Sequence, residues 1–203
     1  MLVELLRSKP WVRRTLSVLS VLLLLGGVAL VGFPFASNLW QDRVQDKLGR
    51  QLASPQLQQA YRDRKVATGD ILTRIKIPNL GVDVVVVEGT TPGALRAGAG
   101  HYAETALPCE SGNMAIAGHR TTFGKPFANV DQLKAGDLIQ LETPIGGCEY
   151  RVSKDPFVTS PNEISVLDPT PDKALTLTTC HPKGSAAKRL IVRATWVRDL
   201  KQA

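Results

Sequence analysis

From Thr15 to Phe33 the chain carries no charged side chain, and the next charge along the sequence is Asp42. A helix rising ~1.5 Å per residue makes such a run about long enough to cross a hydrocarbon core of roughly 30 Å. Arg7, Lys9, Arg13 and Arg14 stand before or at its start against Glu4. The positive-inside rule then keeps residues 1–14 in the cytoplasm and exports the chain beyond the span at 15–33. A cleaved signal peptide would need a shorter apolar core and a small-x-small site, for which Phe35-Ala36-Ser37 is only a faint match. An uncleaved signal anchor is the better reading. The expectation is a single-pass protein of the cell membrane, N-terminus cytoplasmic, with the bulk of the chain outside.

Beyond the anchor, residues 34–69 are polar and charged, with Val44, Leu48 and Leu52 at helical spacing, and read as an extracytoplasmic stalk or linker. From residue 70 the pattern changes to short alternating runs: 71–77, 82–88, 113–117, 138–143, 148–154, 175–180 and 190–196. Thr91-Pro92-Gly93-Ala94-Leu95 could open a helical turn, Gly98 to Tyr102 is glycine-rich, and 158–172 is a long loop with Pro161, Pro169 and Pro171. About eight short strands with little helix point to a mainly β domain over 70–203, a closed or nearly closed antiparallel barrel. Residues 1–40 carry a net +3, and the remaining +4 of the formal net charge of +7 is spread over a domain rather than packed into a patch. No basic run is interleaved with aromatics, so nucleic acid is not an expected partner.

Within the domain, Leu175-Thr176-Leu177-Thr178-Thr179-Cys180 is an extended run stopped by Pro182. Thr176, Thr178 and Cys180 share one of its faces. The thiol thus sits at a strand end, where a barrel opens to solvent. If the run from Leu190 to Trp196 is its neighbour, Arg189 begins that strand beside the thiol, and a nearby cation favours the nucleophilic thiolate. Cysteine chemistry also needs a base, and the chain has three histidines. His181 is the immediate neighbour of Cys180 and so points to the opposite face. His101 lies in the glycine-rich segment, where a wall or structural role fits. His119 ends a short buried strand just after Gly118, in the same strand-end setting as Cys180, and is the expected base and acid.

These residues together resemble the sortase signature: Thr176-Leu177-Thr178-Thr179-Cys180, Arg189 opening the next strand, and Gly118-His119 ending an earlier one. The resemblance covers roughly residues 71–198. Gly100-His101-Tyr102-Ala103-Glu104-Thr105 and Ala117-Gly118-His119-Arg120-Thr121 look like the class E housekeeping sortases of high-GC Gram-positive bacteria. It implies an eight-stranded sortase-type β-barrel with short helices, carrying a cysteine transpeptidase. Cys180 would attack the Thr carbonyl of a C-terminal sorting signal, His119 would be acid and base, and Arg189 would hold substrate and oxyanion. The implied partners are surface proteins bearing that signal and a cell-wall precursor amine as acceptor. Tyr102 matches a tyrosine associated with preference for Leu-Ala-x-Thr-Gly over Leu-Pro-x-Thr-Gly. Thr178 is expected near the thiol with a secondary substrate role, and Arg120 as structural.

Three cysteines in an exported domain leave one free when one pair forms, and the free one should be the nucleophile. A Cys109–Cys148 disulfide is therefore expected; the alternative is two thiols too far apart to bridge. Carboxylates do not cluster with histidine, so neither metal nor other cofactor is expected. A thiol hydrolase on the same barrel and a non-catalytic binding barrel are the competing functions. Pilus polymerisation is a weaker fit than anchoring, because no second apolar segment or lid is visible before Ala203.

Overall fold

A computed structural model describes residues 10–201; Arg7, Lys9 and the rest of 1–9 in the expected cytoplasmic segment lie outside the described residues. The chain forms two compact units, 1–37 and 38–203. In the first, the described residues belong to helix α1 (Pro10–Gln51), which is long and apolar enough to cross a membrane. Its side chains from Leu22 to Leu25 are all exposed. An apolar helix left uncovered along that stretch suits a hydrocarbon solvent.

In the second unit eight strands close a barrel: β1 (Ile71–Ile77), β2 (Val82–Glu88), β3 (Ala99–His101), β4 (Gly112–Ala117), β5 (Leu138–Thr143), β6 (Gly146–Thr159), β7 (Lys173–His181) and β8 (Lys188–Leu200). Their order around the barrel is β1-β2-β3-β4-β7-β8-β6-β5. The closure is not wholly antiparallel, as the alternation alone suggested: β2 pairs β3, and β4 pairs β7, in parallel. Parallel neighbours need a crossover. Helix α3 (Pro92–Ala97), N-capped by the Thr91 hydroxyl, carries the chain from β2 to β3. The β5–β6 hairpin lies between β4 and β7 in the chain. Strand β6 runs on to Thr159, past the expected end, because bulges let it track β8. The long loop is correspondingly shorter, 160–172.

Alternation decides what fills the barrel. Met114 and Ile116 of β4, Leu175 and Leu177 of β7, and Leu190 and Val192 of β8 enter one core with Leu72, Ile75 and Ile139. Residues read from sequence as a stalk are built into this unit. Helix α1 continues to Gln51, and α2 (Pro55–Arg62) comes next with Ser54 as its cap. Gln41 is buried and Val44, Gln45, Leu48 and Gly49 are half-buried, the spacing of one helical face. Gln45 donates to Ala97 O (2.6 Å) and accepts from Val85 N (2.7 Å), while Tyr61 joins the core and donates to Pro108 O (3.4 Å).

Candidate active site

The outward face of β4 and β7 is the floor of the candidate site. In their parallel register Asn113 faces Ala174 and Ala117 faces Thr178. The pairing continues past the strand end, where Gly118 N donates to Thr178 O (3.1 Å) and Thr179 Oγ1 donates to Gly118 O (2.7 Å). Continued by two residues, the same register would set His119 opposite Cys180, and alternation would put both on the face of Asn113, Thr176 and Thr178. Gly118 itself faces inward. A Cβ there would lie 2.5 Å from Cδ2 of the fully buried Phe127, so only glycine lets that ring sit on the backbone before His119. Phe127 N also donates to His119 O (3.1 Å).

Cys180 pairs directly with Arg189 across β7 and β8. The Arg189 Nη1 donates to the carbonyls of Ala186 (3.0 Å) and Lys188 (3.1 Å) and stands 3.9 Å from the Cys180 sulfur. Its own loop thus holds the guanidinium beside the thiol, which is the free cysteine of the three. The His119 ring is half-buried, and that burial lowers its pKa below the ordinary imidazole value by penalising the charged form. Its ring centroid is 5.3 Å from that of Phe123.

The remaining histidines are engaged elsewhere. His181 is turned to Arg120, its Nδ1 3.0 Å from the Arg120 Nη1. Arg120 is buried, pairs with Asp131 (3.0 Å) and reaches Cys180 O (3.4 Å), so it ties the two strand ends together. His101 is fully buried, with Nδ1 2.9 Å from Glu88 and Nε2 3.0 Å from both Ala106 O and Thr105 Oγ1. It fastens β3 to β2 and to the loop after it.

Tyr102 and Thr178 meet: their hydroxyls are 3.0 Å apart. Tyr102 also lines a groove of about 680 Å³ whose walls include Glu104, Ile164, Leu167 and Asp168; Thr178, Cys180, His119 and Arg189 are not among its lining residues. Sequence reasoning missed the residue that ties one wall of the groove to β7. Asn113 Nδ2 donates to Val166 O (3.0 Å) and Asp168 O (3.1 Å), and its Oδ1 accepts from Thr176 (2.6 Å). A polar residue opening an apolar buried strand was the available signal. Cys109 and Cys148 are joined in a disulfide, Cα–Cα 5.6 Å, which fastens the loop after Tyr102 to β6.

Residues 75–197 match the model of the sortase domain. The chain belongs to the sortase family. Sortase SrtE1 of Streptomyces coelicolor is 34% identical over 182 residues, covering 80% of this chain and 52% of that relative. The chain thus spans about half the length of this curated sortase. The solved sortase E of Streptomyces avermitilis superposes with a TM-score of 0.62 at 35% identity, over 66% of this chain and 93% of that one. Sortase D5 of Clostridium perfringens gives 0.67 at 31% identity, over 78% and 98%. The likeness to sortase E proteins makes class E the subgroup this sortase most resembles.

Proposed function

We propose that this sortase is a membrane-anchored cysteine transpeptidase that cleaves a C-terminal sorting signal between Thr and Gly and passes the protein to a cell-wall amine. The observation that carries the reading is the meeting of three strand ends. Cys180 pairs with Arg189 across β7 and β8, β4 runs beside β7 up to the residues just before His119, and the Tyr102 and Thr178 hydroxyls meet two residues before the thiol. The Cys180 thiolate adds to the Thr carbonyl carbon, and the oxyanion is met by Arg189 and a backbone N–H. His119 gives its proton to the leaving Gly nitrogen as the C–N bond breaks, leaving a thioester on Cys180. The incoming amine then attacks the thioester, gives a proton to His119, and the sulfur departs as thiolate. Tyr102 and Thr178 take the substrate residues before the scissile bond, and Tyr102 favours Leu-Ala-x-Thr-Gly. Helix α1 anchors the chain with its N-terminus in the cytoplasm, segments 1–14 and 15–33 acting as basic flank and span.

The test mixes the full chain, in detergent micelles, with Leu-Ala-x-Thr-Gly or Leu-Pro-x-Thr-Gly peptides, with and without a glycine-based amine. The expected result is an amine-transfer product seen by mass, absent with Cys180→Ala and formed faster from the Ala peptide. Cleavage indifferent to the amine would make the protein a hydrolase. No reaction with either peptide would overturn the proposal.

A further inference from the structure

Phe123, Gly124 and Lys125 are consecutive, with φ of 49°, 65° and 44°. The left-handed region suits glycine but is sterically disfavoured for Phe and Lys, and such backbone persists only where its surroundings hold it. Part of the hold is local, since Lys125 N donates to Thr122 O (2.9 Å) and Ala128 N to Lys125 O (3.0 Å). The rest comes from a remote stretch of chain. Asn38 Oδ1 of α1 accepts from Gly124 N (3.2 Å). The carboxamide of Gln41, one turn later, occupies the place a Cβ on Gly124 would take. Gln41 is 3% exposed and its Oε1 has no hydrogen-bond partner among the described residues. Its carboxamide oxygen is therefore buried against Gly124 without a hydrogen bond in return.

What the turn carries is the Phe123 ring, set against His119 on one side and 5.8 Å from the Arg96 guanidinium of α3. We propose that Asn38 and Gln41 are positioning residues for His119: they hold 123–125 in its left-handed turn, and Phe123 then sets how the imidazole is oriented and how dry it is. The inference rests on the acid–base role proposed above for His119. Neither residue needs to touch substrate. When the Asn38 bond is lost, the turn relaxes towards right-handed backbone, Phe123 withdraws and water reaches the ring. The charged and titratable groups to reckon with are Lys125 of the turn, Arg96 of α3 by Phe123, Arg120 with its partners Asp131 and His181, and the Cys180–Arg189 pair of β7 and β8. From α1 come the uncharged Asn38 and Gln41.

The experiment uses the full chain in micelles. The His119 ring is titrated by NMR, its signal assigned with His119→Gln, and kcat and KM are measured for peptide transfer. Asn38→Ala should raise the His119 midpoint towards the ordinary imidazole value. It should also lower kcat about tenfold, the scale of one lost hydrogen bond, with KM little changed. Lys125 is exposed, and Lys125→Gly removes the steric cost of its backbone. The double variant Asn38→Ala/Lys125→Gly should recover most of both effects. A wild-type titration and kcat in Asn38→Ala, or a defect that Lys125→Gly leaves untouched, would overturn the proposal. Gln41→Ala carries the same test should Asn38→Ala fail to fold. A wild-type protein without transferase activity would sink the catalytic reading alone, because the titration does not depend on turnover.

Discussion

Replacing both Cys109 and Cys148 by alanine opens a cross-link whose ends are 39 residues apart in sequence. The chain-entropy relation for a loop of that size gives about 13 cal/mol/K, or about 4 kcal/mol at room temperature, of unfolded-state freedom regained. For a domain of this size that is a fall in Tm of roughly 8–16 °C. The loss should exceed what a surface bridge would give up, since Cys148 is fully buried in the barrel core. The measurement is urea unfolding of the full chain in micelles, in a Cys180→Ala background so that the remaining thiol is silent. Near- and far-ultraviolet circular dichroism should report one coincident transition. A second readout keeps Cys180. The loop from Tyr102 to Cys109 carries part of the groove wall, so its release should raise KM for the peptide while kcat stays near the wild-type value. A stability loss under about 1 kcal/mol, from a variant that still folds, would refute the loop-entropy reasoning.

The same site supports two more predictions. Burial holds the His119 pKa below that of the unfolded chain, so its contribution to stability is fully present above the ordinary imidazole value of about 6.5 and is lost as pH falls through the folded value. Unfolding curves of wild type and His119→Gln should therefore converge as pH is lowered from 8 towards 5, and parallel curves would count against it. Gly118→Ala drives a Cβ into the Phe127 ring; overpacking of this kind costs about 1–3 kcal/mol, read as a Tm lowered by several degrees, and an unchanged Tm would show that the ring yields freely.

Much of the candidate site was legible because its residues sit where local rules speak plainly. The Leu/Thr alternation before Cys180 assigns faces, Pro182 ends the strand, and the opposite pointing of neighbours sets His181 apart from the thiol; in the structure that ring is held by Arg120. Gly118 before His119 was visible, but not its reason, since Phe127 lies nine residues further on and nothing local links them. Asn113 and Gln41 looked like ordinary polar residues. A buried polar side chain and a solvated one have the same letter, and only the surrounding chain tells them apart.

By itself the sequence determined an apolar span, a run of short alternating strands, and a thiol, an imidazole and a guanidinium each at a strand end. Those are consequences of residue type and of periods of two and 3.6, which act over a few neighbours. The tertiary structure alone decided that β4 lies parallel to β7, so that the strand leading to His119 runs beside the one that carries Cys180, and that α1 reaches the turn beside His119. Periodicity says which face of an element is buried but not against which partner. That choice is made by closing the barrel, where crossovers, bulges and the Cys109–Cys148 link act on the whole chain at once.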